Sequence, residues 1–402
     1  MMNRRNLGRC LAGATLALTA GCDLKVTNPG PLQDEKLNVV TALPALVNGM
    51  SGDLSVAVGN YIDRGALASG ELTAAGNFAA ELQYYIGVIR PEDVNADWAN
   101  MQQARWSAED GLRRMQRVLG AGFEAYAETP RAYLYAGFAN RLLGENVCTG
   151  VIDGGAAQSD TVYFVRADSL FTRAYTLATT LKNTNVANAA LGGRASVRAW
   201  QGNWAGAVAD AALVPNAFVF NAIFSTNTTR ENNDLANQTI TRRETTVFGT
   251  TYASIFKDPR TPWDTIKTTA GAIQTGQDGR TRFFRQTKYT SLGSSVPLVK
   301  GAEMLLLRAE SSLRAGDIPG MTALINSERA LYTLAAVPAP ATTAAAWTLL
   351  QAERGAVTWL EGRRLWDLRR WNAEGTNTFL TGRSKCIPVS VNELAANPNL
   401  SK

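Results

Sequence analysis

Apolar side chains recur at three- and four-residue steps along much of the chain, most clearly from Trp98 to Leu119. There Trp98, Met101, Arg105, Leu112, Met115 and Leu119 share one side while most charges lie elsewhere, the pattern of a helix with a buried stripe. Pro130 suits the first turn of a second helix carrying Tyr133, Tyr135, Phe138 and Leu142 up to Gly144. Further helices are predicted over Ala167–Lys182, Ala187–Gln201 and Ala302–Arg314. Gly202-Asn203-Trp204, with Ala207 after it, and Ala315-Gly316-Asp317, with Met321 and Leu324 after it, repeat one step: a glycine, a polar residue, then a new apolar helix. Small residues at such turns let two helices approach closely, a pattern similar to tetratricopeptide pairs, although the copies are few and unevenly spaced. The expected fold is mainly α, with tetratricopeptide-like hairpins over about 96–214 and 299–375 packed against a loop-rich half.

Periodicity fades over about 216–297, where Thr, Asn, Gly and Gln dominate and Asp258-Pro259, Thr261-Pro262 and Gly276-Gln277-Asp278-Gly279 signal turns. A second loop-rich stretch is expected over about 49–97. Loops this long in a compact chain tend to carry function. The start of the chain has a different grammar: Arg4, Arg5 and Arg9, an apolar run from Leu11 to Ala20, then small residues before Cys22. Those are the parts of an export signal, and Ala20-Gly21-Cys22 resembles the bacterial lipobox, which makes Cys22 the expected lipidation site. Residues 1–21 are then a signal peptide, 22–36 a polar tether with Pro29 and Pro31, 37–402 the folded domain, and 376–402 its closing tail.

Composition narrows the chemistry. With 46% hydrophobic and 18% charged residues in 402, the chain can bury a large core. No apolar run reaches the roughly 20 residues a spanning helix requires, so membrane attachment is expected through lipid alone. The net charge of +6 includes three leader arginines, and the remaining Lys and Arg are scattered, which argues against a nucleic-acid surface. With Cys10 in the leader and Cys22 lipidated, Cys148 and Cys386 are left over, and in an exported protein they are expected to pair. There is no histidine, which removes Ser-His-Asp and Cys-His catalysis and the commonest zinc ligand. No P-loop is present, and neither a metal nor a cofactor is expected.

Glu353 to Trp371 reads ERGAVTWLEGRRLWDLRRW. As one helix it would place Glu353, Val357, Leu360, Arg364 and Leu368 along a face, with Trp359 and Trp366 on an adjacent stripe. Such paired charges and tryptophans are expected to be scaffold rather than catalytic. Glu353-Arg354, Glu361-Gly362-Arg363, Asp367-Leu368 and Arg370-Trp371 also resemble the C-terminal signature of the SusD/RagB family of outer-membrane nutrient-binding lipoproteins. Ala302 to Asp317, Ile325-Asn326 through Arg329, Ile387-Pro388, Glu393 and Asn397-Pro398-Asn399-Leu400 follow the family's order, while Val357-Thr358 stands where Glu-Leu is common. The resemblance implies four helical hairpins supporting a loop-rich half, lipid-anchored on the outer membrane and facing outward. It further implies a non-enzyme that captures glycans or peptides for a TonB-dependent SusC-like transporter.

Sugar binding calls for flat apolar faces beside amides and hydroxyls. Tyr84 and Tyr85 near Gln83, and Tyr252, Trp263 and Phe284 in the loop-rich middle, answer that description. Trp98, Trp106, Trp200, Trp204, Trp359 and Trp366 are assigned to core. The alternatives are a carboxylate-pair glycoside hydrolase using Glu92-Asp93 or Asp258 with Asp264, and a non-catalytic helical adaptor for another protein.

Overall fold

The computed structural model describes residues 34–254 and 258–400. The expected signal peptide, Cys22 and most of the 22–36 tether therefore lie outside the described residues. The first long element is a helix, α1 (Leu43–Ala68, 26 residues), with Pro44 in its first turn. This corrects the expectation of loop from residue 49. Leu43, Val47, Met50, Leu54, Val58, Tyr61 and Ile62 are all buried, and α1 is enclosed by neighbours on most of its surface rather than along one stripe. Such a helix lacks the polar face that makes helical periodicity visible.

A short helix, α2 (Ala79–Ile86), follows, and then α3 (Asn95–Leu119), α4 (Thr129–Asn146), α5 (Thr161–Thr180), α6 (Thr184–Trp200) and α7 (Trp204–Leu213). Beyond the irregular middle come α8 (Gly301–Arg314), α9 (Ile318–Leu331), α10 (Thr343–Val357), α11 (Arg364–Ala373) and α12 (Val391–Ala396). Each main helix packs on the next: α1 on α3, α3 on α4, α4 on α5, α5 on α6, α6 on α7, α7 on α8, and α8 on α9 and α10. The two repeated turns share their chemistry. Gly202 and Gly316 both have positive φ (81° and 80°), and the next residue caps the following helix: Asn203 accepts from the Gly206 N–H at 3.0 Å, and Asp317 from the Gly320 N–H at 2.8 Å.

One large apolar cluster joins α1, α3, α4 and α5 to the loops and the tail. Two smaller ones sit between α6, α7 and α8 and between α8, α9 and α10. The middle segment is irregular chain with short two-stranded pieces. Strand β4 (Val219–Ala222) pairs with β8 (Val296–Lys300), and β6 (Trp263–Thr265) with β7 (Phe284–Gln286), while β1 (Thr73–Ala74) pairs with β5 (Thr245–Thr246). β2 (Thr149–Gly150) and β3 (Gln158–Ser159) form a small hairpin after α4. Cys148 and Cys386 are joined in a disulfide, beside which the Cys148 N–H donates to Ile387 O (2.8 Å) and the Ile387 N–H to Asn146 O (2.7 Å). The tail is thus tied to the end of α4.

The stretch from Glu353 to Trp371 is two helices rather than one. α10 ends at Val357, and α11 starts at Arg364. Between them Leu360 and Gly362 have positive φ (56° and 69°). The break has visible partners: the Leu360 N–H donates to buried Glu71 (2.8 Å), and Glu361 takes both Lys288 and Lys300 at 2.6 Å.

Candidate functional site

The signature charges turn inward and consume one another. Arg354, 1% exposed, reaches Asp367 at 2.6 Å and Glu303 at 3.2 Å. Arg363 reaches Glu145 and Glu303 (2.9 and 3.1 Å), and Arg370 reaches Asp367 (2.9 Å) and Glu310 (2.6 Å). Glu353 binds Arg260 and Arg329 at 2.5 and 2.6 Å. Burial pushes the Glu303 and Glu310 carboxyls up, yet the surrounding arginines, Arg363 and Arg370 foremost, bring each down to about 2. Both are therefore held charged, so this network fixes α8, α10 and α11 to one another and leaves no free acid or base.

The break after Val357 has a consequence for Arg364. It directs this one arginine of the signature away from the network, into the wall of an open cleft formed by α1's end, α2, the 249–254 segment and the 375–383 tail. The cleft has two adjoining cavities, of about 430 and 560 Å³, which share Thr251 and Arg364. The first is walled by Ser69, Tyr85, Ile86, Phe379 and Arg383. The second is walled by Tyr252, Gln351, Thr376 and Asn377. Among the described residues neither wall includes an Asp or Glu. Among the described residues Arg364 has no hydrogen bond or salt bridge; its guanidinium lies 5.7 Å from the Tyr252 ring centre.

Arg383 is placed by the tail. Its Nη2 donates to Tyr85 O at 2.6 Å, its Nε is buried without a partner, and burial draws its guanidinium down from the ordinary range, with Tyr85 acting against that. The Ser384 N–H donates to Gly87 O (2.8 Å), and its hydroxyl accepts from Ile89 N–H (3.0 Å). The tail thereby holds the end of α2, and Tyr85 with it. Behind the wall, Glu71 receives Ser69 Oγ–H (2.9 Å) and the Leu360 N–H. Burial raises its carboxyl above the usual range, with Arg364 pulling the other way.

The five aromatics expected at a ligand site do not share one role. Tyr85 is 37% exposed on the first cavity, and Tyr252, 4% exposed, backs the second. Tyr84 is fully buried, its hydroxyl donating to Asp97 at 2.7 Å, so it is a core residue and the expectation is corrected. Trp263 and Phe284 lie outside both walls. Their rings stack at 4.7 Å and 4°, and Trp263 Nε1 donates to Tyr252 O at 3.2 Å, so they support Tyr252 from behind. Trp106, expected in the core, is 51% exposed. The acids considered for hydrolysis are occupied by arginines: Asp93 by Arg90 (2.9 Å), Asp258 by Arg260 (2.7 Å) and Asp264 by Arg285 (2.5 Å). Among the described residues no cluster of His, Cys, Asp and Glu is placed to hold a metal.

Arg364, Arg383, Phe379 and Asn377 escaped the sequence reading as site residues. Gly362 was the available signal, since a glycine inside a helical pattern is a candidate terminus. A helix ended there frees Arg364 from the inner face.

Over residues 225–400 the chain matches the SusD family model, the same C-terminal region that carries the signature. The fold agrees over a longer span. A SusD superfamily protein from Bacteroides thetaiotaomicron aligns at a TM-score of 0.70 and 16% identity, covering 90% of this chain and 98% of that one. A SusD superfamily protein from Bacteroides vulgatus gives 0.67 and 15%, with the same coverage. A laminarin-binding SusD-like protein gives 0.62 and 13%, again covering 90% and 98%. No curated protein matches significantly. Among the described residues no helix is long and apolar enough to cross a membrane.

Proposed function

We infer that this protein binds oligosaccharides in the cleft between α2, α11 and the tail and does not cleave them. The observation that carries the reading is the make-up of the walls among the described residues: aromatic faces from Tyr85 and Phe379, amides from Gln351 and Asn377, two arginines, and no carboxylate. Sugar rings offer apolar C–H faces and a rim of hydroxyls, which such walls match. Glycoside hydrolysis in its usual form requires two carboxyl groups flanking the bond, and among the described residues the cleft walls offer none. Proteins of the same fold named for carbohydrate or laminarin binding support the ligand class.

On this reading Cys22 carries the lipid that anchors the chain to the outer membrane, facing outward, and the cleft hands its ligand to a TonB-dependent SusC-like barrel. The anchor rests on the lipobox-like Ala20-Gly21-Cys22 and on the family. The test is a panel of neutral and charged oligosaccharides scored by calorimetry for binding and by chromatography for products. Binding without products supports the reading, and released fragments overturn it. Fatty-acid labelling that survives Cys22→Ala would overturn the anchor, and failure to co-purify a barrel from membranes would remove the transporter.

A further inference from the structure

Among the described residues, two cations face the cleft without a matching acid in its walls. Arg364 stands where the cavities meet, shared by both, and among the described residues it has no hydrogen bond or salt bridge. Arg383 spends one nitrogen on Tyr85 O, while its Nε is buried with no acceptor. The contrast with the rest of this segment is sharp: Arg354, Arg363 and Arg370 each touch at least two carboxylates. Glu71 feels the charge of Arg364. It sits behind the wall, already receives hydrogen bonds from Leu360 N–H and Ser69 Oγ–H, and forms no salt bridge with Arg364. A guanidinium presents a planar fork that matches a carboxylate with two parallel hydrogen bonds. A neutral sugar hydroxyl uses such a fork poorly and leaves the charge uncompensated.

We propose that the cleft selects acidic oligosaccharides, with a uronic acid carboxylate seated on Arg364 at the junction of the cavities and Arg383 adding a second positive contact beside Tyr85. This deepens the proposed function and rests on it. The aromatic and amide walls would take the neighbouring rings, so affinity depends on both parts, but discrimination between acidic and neutral chains depends on the arginines.

The experiment is calorimetry on the folded, unreduced protein with three sets of matched oligosaccharides: oligouronates, the same chains with their carboxyls methyl-esterified, and sulfated neutral chains. The expected result is binding of the free uronates, a loss of about tenfold or more on esterification, consistent with one charge-assisted pair, and weakening by added salt. Arg364→Gln and Arg383→Gln should each lower uronate affinity about tenfold with an unchanged melting temperature, and Arg364→Lys should recover part of it. Equal binding of free and esterified chains, unaffected by Arg364→Gln, would overturn acidic selectivity while leaving oligosaccharide binding intact. Preference for the sulfated set would overturn the carboxylate assignment. If no carbohydrate binds at all, the proposed function fails with it.

Discussion

Arg354→Met is the sharpest perturbation of the frame beneath the cleft. Arg354 is 1% exposed and bonds Asp367 through Nε (2.6 Å) and Glu303 through Nη2 (3.2 Å). Methionine keeps much of the volume, so the cost is electrostatic rather than a cavity. Asp367 would still hold Arg370 and Glu303 would still hold Arg363, so neither carboxylate is left alone. Breaking a buried pair costs about 3–5 kcal/mol when it strands a charge. Retained partners place this case at the lower end, about 3 kcal/mol. The Glu303 carboxyl shows the direction: despite burial, which raises it, it is held at about 2 against an ordinary 4.5 by several cations, Arg363 first and Arg354 next. Urea unfolding followed by far-UV circular dichroism near neutral pH measures the loss. Asp367→Asn added to Arg354→Met should cost less than the sum of the two single changes, because they share a bond. A loss below about 1 kcal/mol for Arg354→Met, or strict additivity in the double variant, would refute the network as the element that joins α8, α10 and α11.

Acid should act on the same groups. Glu303 and Glu310 have folded values near 2, below the ordinary 4.5. Their stabilisation is therefore complete above about pH 4.5 and is lost as pH falls toward 2, and urea midpoints that stay flat through that window would contradict it. Reduction of the Cys148–Cys386 bond, which spans 238 residues of sequence, should cost about 5 kcal/mol in the chain-entropy treatment. Because Arg383 lies three residues from Cys386, reduction should also weaken ligand binding, and paired melting and titration with and without reductant check both effects. Gly355→Ala would place a Cβ 2.1 Å from Arg364 Nη1 and 2.8 Å from the Tyr252 hydroxyl. Since the arginine tip can swing away, we expect a stability loss of roughly 1–2 kcal/mol but a larger fractional loss of ligand affinity; unchanged affinity would show that Arg364's position does not matter.

Helices with one polar face were legible as such. Predicted over Trp98–Leu119, one spans Asn95–Leu119; predicted over Ala302–Arg314, another spans Gly301–Arg314. The turns at Gly202-Asn203 and Gly316-Asp317 were visible because a glycine followed by a capping side chain is a local signal that does not depend on tertiary partners. α1 was hidden for the opposite reason. Its glycines, including Gly59 and Gly65, lower helix propensity, and neighbours cover it on several sides, so no stripe stands out. Tyr84 and Tyr85 show the limit at the site: adjacent tyrosines look alike in sequence, but on a helix they point about 100° apart, one to Asp97 in the core and one to the cleft. Arg364 depended on the break between α10 and α11, whose contacts come from Glu71, Lys288 and Lys300, residues distant in sequence.

The central claim is that the cleft grips an oligosaccharide without cutting it, and titration of Tyr85→Ala against the unaltered protein tests it most directly. With an oligosaccharide that the unaltered protein binds, loss of the exposed ring should weaken binding about tenfold or more, as expected for a stacked aromatic, while the melting temperature holds and no shortened sugar accumulates. Undiminished affinity in Tyr85→Ala, or accumulation of cleavage products with the unaltered protein, would contradict the account.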